Sequence, residues 1–341
     1  MRVLIYSRAF LPHIGGLELN VAHLAEELMK RGWEVRVATV TPADGPDELP
    51  YAVIRNPAPR ALLKAVRWCD VYHQPNLSLR GLWPLLLVRR PWVVSHHSWY
   101  TRTDGTISWK DRIKRLLVRF ADGSIAVSQA IADDLRTPCT VVPNSYREDL
   151  FVPLQGIPRD RDLIFVGRLV SDKGVDILLE ALRLLARNGL RPTLSIVGEG
   201  PEEPRLRELV SSLELEGQVA FLGLKRDKAL VEAYHRHRIA VVPSRYNEPF
   251  GIVALEAIAC GCAVVGSAGG GLSEAFGPCG VGFPNGDAKA LAARLEQLLL
   301  DPAHVARLLE NAPGHLAAHS SPAVFGRYAR ILDGAVIRRS T

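Results

Sequence analysis

Cysteine is scarce and unpatterned in this chain: Cys69, Cys139, Cys260, Cys262 and Cys279 form an odd, scattered set with no C-x-x-C pair. None of the paired spacings of a zinc site occurs, and the usage fits a reduced, cytosolic compartment. Long apolar runs are missing too. Nothing approaches the ~18 residues of a membrane span, and the opening Met1-Arg-Val-Leu-Ile-Tyr-Ser carries too short an apolar stretch for a signal peptide. Secretion and integral membrane insertion are thereby disfavoured. The sequence has no internal repeat and no low-complexity tract, which argues against solenoid and disordered architectures. The G-x-G-x-x-G fingerprint of dinucleotide binding is absent, and with it the main argument for a dehydrogenase.

What is present is an ordinary globular composition, 48% hydrophobic and 23% charged, over 341 residues, a length that suggests about two domains. Short β-branched runs alternate with helical-period segments throughout, the pattern of βα units in parallel sheets. The fold class is therefore α/β, with two doubly wound, Rossmann-like domains. Strands are predicted at 3–6, 35–40, 71–73, 92–95, 123–127 and 140–142, then at 163–166, 194–197, 219–222, 239–242 and 263–266. Between the two series lies Val152-Pro-Leu-Gln-Gly-Ile-Pro-Arg-Asp-Arg161, polar and without periodicity. It places a first domain at 1–157 and a second at 158–322, with a terminal helix at about 323–341 free to pack back on the first. Open α/β sheets bind ligands beyond the carboxyl ends of their strands, so two facing domains would form a cleft.

Several loops after predicted strands carry residues suited to an anionic ligand. Gly15-Gly16-Leu-Glu18 leads into a helix whose apolar face is Leu17, Val21, Leu24, Ala25 and Leu28. Glycines there let the backbone approach a ligand, and exposed N–H groups at a helix start favour an anion. Phe165-Val-Gly167-Arg168 with Lys173-Gly174 sets two cations five residues apart, spaced to clamp a diphosphate; an isolated pair would read as a solvated loop. Glu248-Pro-Phe250-Gly251-Ile252 opens another helix, with Glu256 eight residues beyond Glu248, and both carboxylates could accept hydrogen bonds from sugar hydroxyls. A third cluster is Gly269-Gly270-Gly271 with Glu274.

In their order and spacing these motifs, together with Val94-Ser-His96-His97-Ser98, Val142-Pro-Asn144 and Val197-Gly198-Glu-Gly-Pro201, resemble the retaining nucleotide-sugar glycosyltransferases of family 4, which have the two-domain GT-B fold. The resemblance covers nearly the whole chain. It implies that Arg168 and Lys173 neutralise the departing diphosphate, that Glu256 holds the ribose hydroxyls, and that Glu248 and His97 stand near the transferred sugar. Gly15, Gly16, Gly167, Gly198, Phe250, Gly251 and Ile252 would complete the donor site, largely through backbone groups. One departure is Ser145-Tyr146 after Asn144, where the family usually has glycine.

The implied reaction moves a sugar from a nucleotide-diphosphate donor, with UDP-sugar favoured, to an acceptor hydroxyl, as in polysaccharide or glycolipid synthesis. A GDP-sugar of mannosyl type and a non-catalytic sugar-nucleotide binder are the alternatives. No metal or other cofactor is expected: Asp160-Arg-Asp162 formally reads D-x-D but precedes a strand. The net charge of +6 is uneven, because residues 55–119 hold 13 basic against 3 acidic side chains and five of the six tryptophans. Within that stretch Trp109, Ile113, Leu116, Leu117 and Phe120 share one helical face, with Lys110, Lys114, Arg115 and Arg119 beside or away from it. Such a helix could lie on an anionic membrane or pack its apolar face on the sheet. A nucleotide-sugar donor and a sugar or lipid-linked acceptor are the expected partners. No nucleic acid is expected, since no binding motif is recognisable. The location expected is cytoplasmic, with peripheral association at the inner membrane face.

Overall fold

The computed structural model describes every residue except Ile14, Asp44, Thr103 and Thr341, with Ser340 described by its backbone. Ile14 of the first glycine loop and Thr341 of the expected terminal helix therefore lie outside the described residues. The chain divides into two compact units, residues 1–145 with 321–341, and residues 146–320.

The first unit holds seven parallel strands: β1 (Arg2–Ser7), β2 (Glu34–Thr39), β3 (Ala52–Arg55), β4 (Val71–Pro75), β5 (Trp92–His96), β6 (Gly123–Ala126) and β7 (Thr140–Val141). Their order is β3-β2-β1-β4-β5-β6-β7. Both faces of this sheet are covered, so its central strands are apolar on both sides rather than alternating. In β1, Val3 and Ile5 enter one core while Leu4 and Tyr6 enter the other. The first core is closed by Val21, Leu24, Ala25 and Leu28 of helix Gly16–Lys30 and by Val324, Phe325, Tyr328 and Leu332 of helix Ser321–Ser340. Leu62, Ala65 and Val66 of helix Pro59–Trp68 help close the second.

The second unit has six parallel strands: β8 (Arg161–Val166), β9 (Leu194–Val197), β10 (Val219–Phe221), β11 (His237–Val242), β12 (Ala263–Ser267) and β13 (Gly280–Phe283), ordered β10-β9-β8-β11-β12-β13. Helix Val175–Arg187 follows β8 and buries Ile177, Leu178, Ala181, Leu182 and Leu185 on the sheet.

The division between units falls at Ser145 and Tyr146, not near residue 157. Residues 146–157 belong to the second unit because they pack on it: the Leu154 N–H donates to His235 Nε2 at 2.8 Å and the Phe151 ring lies 6.2 Å from Tyr234. Strands β3 and β13, which the sequence pattern does not reveal, are both sheet edges.

Candidate active site

In each unit the strand order reverses beside the first strand, between β1 and β4 in one and between β8 and β11 in the other. Ligands of open parallel sheets settle at such a switch point, beyond the strands' carboxyl ends. In the second unit the two loops there are 167–174 after β8 and 243–251 after β11. They meet in a direct ion pair: Lys173 Nζ lies 2.6 Å from Glu248 Oε1. The same oxygen accepts a hydrogen bond from Ser244 Oγ at 2.6 Å. Glu248 and Ser244 are both buried, and the backbone carbonyl of Glu248 accepts from the Gly271 N–H at 2.7 Å. The loop after β12 is thus tied to the same centre. Arg168 is exposed and forms no ion pair among the described residues.

Close backbone approach accounts for the glycine here that sequence spacing singled out. Gly198 has φ +137°, and a Cβ on it would stand 1.9 Å from the Gly167 carbonyl oxygen. The loops after β8 and β9 can therefore touch only without a side chain at that position. The Phe250 side chain is buried with its ring 5.8 Å from His319, so only its backbone is available to a ligand. Gly251 and Ile252 begin helix Ile252–Ala259, which carries Glu256 one turn further on. Burial pushes the Glu256 carboxyl up to about 7, with Arg147 and the neighbouring Tyr234 hydroxyl pulling the other way.

In the first unit Gly15 precedes helix Gly16–Lys30. A Cβ on Gly15 would stand 2.5 Å from Glu18 Oε2, because the Glu18 carboxylate folds back over the helix start, with Oε1 3.2 Å from His13 Nδ1. The half-buried His97 follows β5; its N–H donates to Asn76 Oδ1 at 2.8 Å, and its Nε2 lies 2.9 Å from Ser95 Oγ. Ser95 Oγ also lies 3.1 Å from His73 Nε2. A hydroxyl has one proton, so Ser95 can donate to at most one of the two imidazoles, and at least one ring nitrogen must carry the proton it shares with Ser95. Asn144 holds the His97 ring as well and accepts from Asn20 Nδ2 at 3.2 Å. Burial lowers the His97 pKa to about 4 and that of His73 to about 3, so both are neutral near pH 7. His96 is buried, its ring nitrogens engaged by Tyr100 and Ser124.

The structure thus brings Lys173 and Glu248 into contact and adds Ser244, Ser95, His73 and Asn20 to the residues the motifs suggested. Asp160 and Asp162 are committed elsewhere: Asp160 pairs with Arg236 at 2.6 Å and Asp162 pairs with Arg238. On helix Trp109–Val118 the apolar residues Trp109, Ile113 and Leu116, and Phe120 just beyond, face outward, while Val118 is buried and Leu117 packs on the core. Two of its cations turn inward, Lys114 to Asp111 at 2.9 Å and Arg115 to Asp134 at 2.8 Å, which removes them from the exposed surface expected of them.

The family "Glycosyl transferases group 1" matches residues 148–315 and "Glycosyltransferase Family 4" matches residues 14–149. Glycogen synthase of Mycobacterium tuberculosis is 34% identical over 206 residues, 57% of this chain and 50% of the synthase. D-inositol 3-phosphate glycosyltransferase of Corynebacterium jeikeium is 33% identical over 283 residues, 72% of this chain and 66% of that protein. The match thus spans about half the length of the glycogen synthase. In three dimensions, sucrose-phosphate synthase of Thermosynechococcus elongatus superposes over 100% of both chains with a TM-score of 0.83 at 24% identity. Anabaena HepE, crystallised with UDP, covers 98% of this chain and 100% of its own with a TM-score of 0.82 at 22% identity. With both family patterns in sequence and two Rossmann-like parallel-sheet units in structure, the chain belongs to the group 1, family 4 glycosyltransferases of GT-B fold.

Proposed function

We propose that the protein transfers a sugar from a nucleotide-diphosphate donor to an acceptor hydroxyl, with retention of anomeric configuration and without a metal ion. The observation that carries this reading is the Lys173–Glu248 pair at the switch point of the second unit, with Ser244 behind it. Breaking a sugar–phosphate bond develops negative charge on the diphosphate. Lys173 and Arg168, fixed on the loop after β8, supply the positive charge that stabilises it. Glu248 is a poor nucleophile, because one oxygen is engaged by both Lys173 and Ser244. Attack by the acceptor hydroxyl on the face that the phosphate leaves, with the phosphate taking the proton, suits that arrangement better than a covalent glycosyl-enzyme. His97, neutral and held by Ser95, would serve as a hydrogen-bonding group near the sugar. The pairing of Asp160 and Asp162 with arginines supports a metal-free clamp.

A uridine donor is favoured by the similarity to HepE, crystallised with UDP and with UDP-glucose. The acceptor belongs to a growing polysaccharide or a glycolipid, met by a peripheral enzyme at the cytoplasmic membrane face; no helix among the described residues is long and apolar enough to cross a membrane. The test is release of nucleoside diphosphate from a panel of UDP- and GDP-sugars, with and without chelator. Turnover of a UDP-sugar unaffected by chelator is expected, and Lys173→Ala should lower kcat by roughly 10²–10³-fold. Unchanged turnover in that variant would remove the clamp. Donor binding without turnover across a broad acceptor panel would favour the non-catalytic reading.

A further inference from the structure

Helix Trp109–Val118 has an unusual orientation for a covering helix, since its apolar stripe points away from the sheet. Trp109, Ile113 and Leu116 stand at i, i+4 and i+7, within one narrow sector of a 3.6-residue helix, and Phe120 follows in the turn just past its end. Trp109 is 66% exposed and Phe120 70%. At the Phe120 end the stripe runs on to Leu86, 86% exposed, and Leu87. Leu86 and Phe120 also line a cavity of about 950 Å³ whose wall is mixed, with Leu85 and Leu117 on one hand and Asp70, Arg89, Arg90 and Arg339 on the other. Contiguous exposed apolar surface of this kind marks a site of contact with protein or membrane.

The charges decide between those occupants. The other exposed side chains of the segment are Lys110, Arg112 and Arg119, all cationic, and Arg89 is exposed beside Leu86 and Leu87. The one acid of the helix, Asp111, is taken up by Lys114 at 2.9 Å and by Ser108. Lys110 Nζ lies 5.6 Å from the Trp109 ring, so the stripe's first aromatic carries a cation at its edge. An apolar stripe flanked on both sides by cations with no exposed acid matches the layered chemistry of an anionic bilayer, acyl chains beneath phosphates.

We propose that this face of the first unit docks on a membrane of anionic phospholipid. Trp109, Ile113, Leu116 and Phe120 enter the interfacial layer with Leu86, and Lys110, Arg112, Arg119 and Arg89 meet lipid phosphates. The inference gives a surface to the membrane-face part of the functional reading and is independent of the transfer chemistry.

The test is flotation of the full chain with vesicles of phosphatidylglycerol and phosphatidylcholine, against phosphatidylcholine alone, at about 0.15 M salt. Tryptophan emission is followed in parallel for the wild type and Trp109→Phe. Binding to the anionic vesicles with a blue shift that Trp109→Phe abolishes is expected. Leu116→Ser/Phe120→Ser and Lys110→Glu/Arg112→Glu/Arg119→Glu should each weaken partitioning at least tenfold. All five positions are exposed, so melting temperature and donor-induced stabilisation should stay at wild-type values, which keeps failure of this proposal separate from failure of the donor site. No flotation, equal flotation with phosphatidylcholine alone, or wild-type partitioning by both variants would overturn the proposal. So would a dimer in sedimentation that Leu116→Ser/Phe120→Ser dissolves, since the face would then belong to a second copy.

Discussion

Glu256 is held where burial opposes its charge: its carboxyl titrates at about 7 instead of the ordinary value of 4.5. A raised acid stabilises the fold below its unfolded pKa and loses that contribution as pH rises through the folded one. Between pH 4.5 and about 7 the folded protein therefore binds more protons at this position than the unfolded chain, and stability falls by an amount on the order of 3 kcal/mol. Glu256→Gln should remove that slope in denaturant titrations at several pH values, while weakening donor binding through the lost carboxylate. An unchanged slope would show that Glu256 is not the group responsible. The motifs made Glu256, Glu248 and Lys173 legible, because charged side chains in glycine-flanked loops stand out from a chain that is 23% charged. Ser244, Ser95 and His73 did not stand out. A serine or a strand histidine gains its role from what the fold sets opposite, here the Glu248 carboxylate and the His97 ring, and no spacing along the chain encodes that.

Among elements, the central strands were readable and two edges were not. β1, β5, β8 and β11 each carry a buried apolar stretch, Val3–Tyr6, Trp92–Val94, Leu163–Phe165 and Ile239–Val242, whereas β3 is partly exposed Ala-Val-Ile-Arg and β13 is Gly-Val-Gly-Phe. Edge position relaxes the demand for apolar side chains, and that demand is what pattern reading detects. Helix Trp109–Val118 shows the complementary limit. Periodicity located its apolar face, but a face is defined relative to the helix axis alone, and only the fold shows that it turns outward. Tight loop contacts leave a clearer trace, as at Gly198. An alanine there must accept φ +137° and a Cβ 1.9 Å from a backbone oxygen that cannot swing aside. Gly198→Ala should destabilise the second unit by about 3 kcal/mol, the sum of a left-handed penalty and overpacking. Chemical denaturation would check this, and a loss under about 0.5 kcal/mol, the range of a neutral surface change, would show that the two loops are free to separate.

At the scale of the whole molecule the chain crosses from the first unit to the second at residue 146 and returns at residue 321. The return is structural for the first unit. Helix Ser321–Ser340 buries Val324, Phe325, Tyr328, Ala329, Leu332 and Ala335 in the core shared by β1, β4 and helix Gly16–Lys30. Arg327 also donates to the Val141 carbonyl, and Arg339 Nε lies 3.0 Å from Asp122 Oδ1. Removing Val324, Phe325 and Leu332 from that core forfeits roughly 5–9 kcal/mol of apolar burial, comparable with the whole stability of an ordinary domain. Deletion of residues 321–341 should therefore unfold the first unit while the second, whose core uses none of these side chains, keeps its own. Hydrogen exchange resolves the two. In the truncated chain the amides of β1, β4 and β5 should exchange at unfolded rates and those of β8, β9 and β11 should stay protected. Protection of β1 at its wild-type level would mean that the first core closes without the terminal helix, and loss of protection in β8 would mean that the second unit depends on the first for its stability.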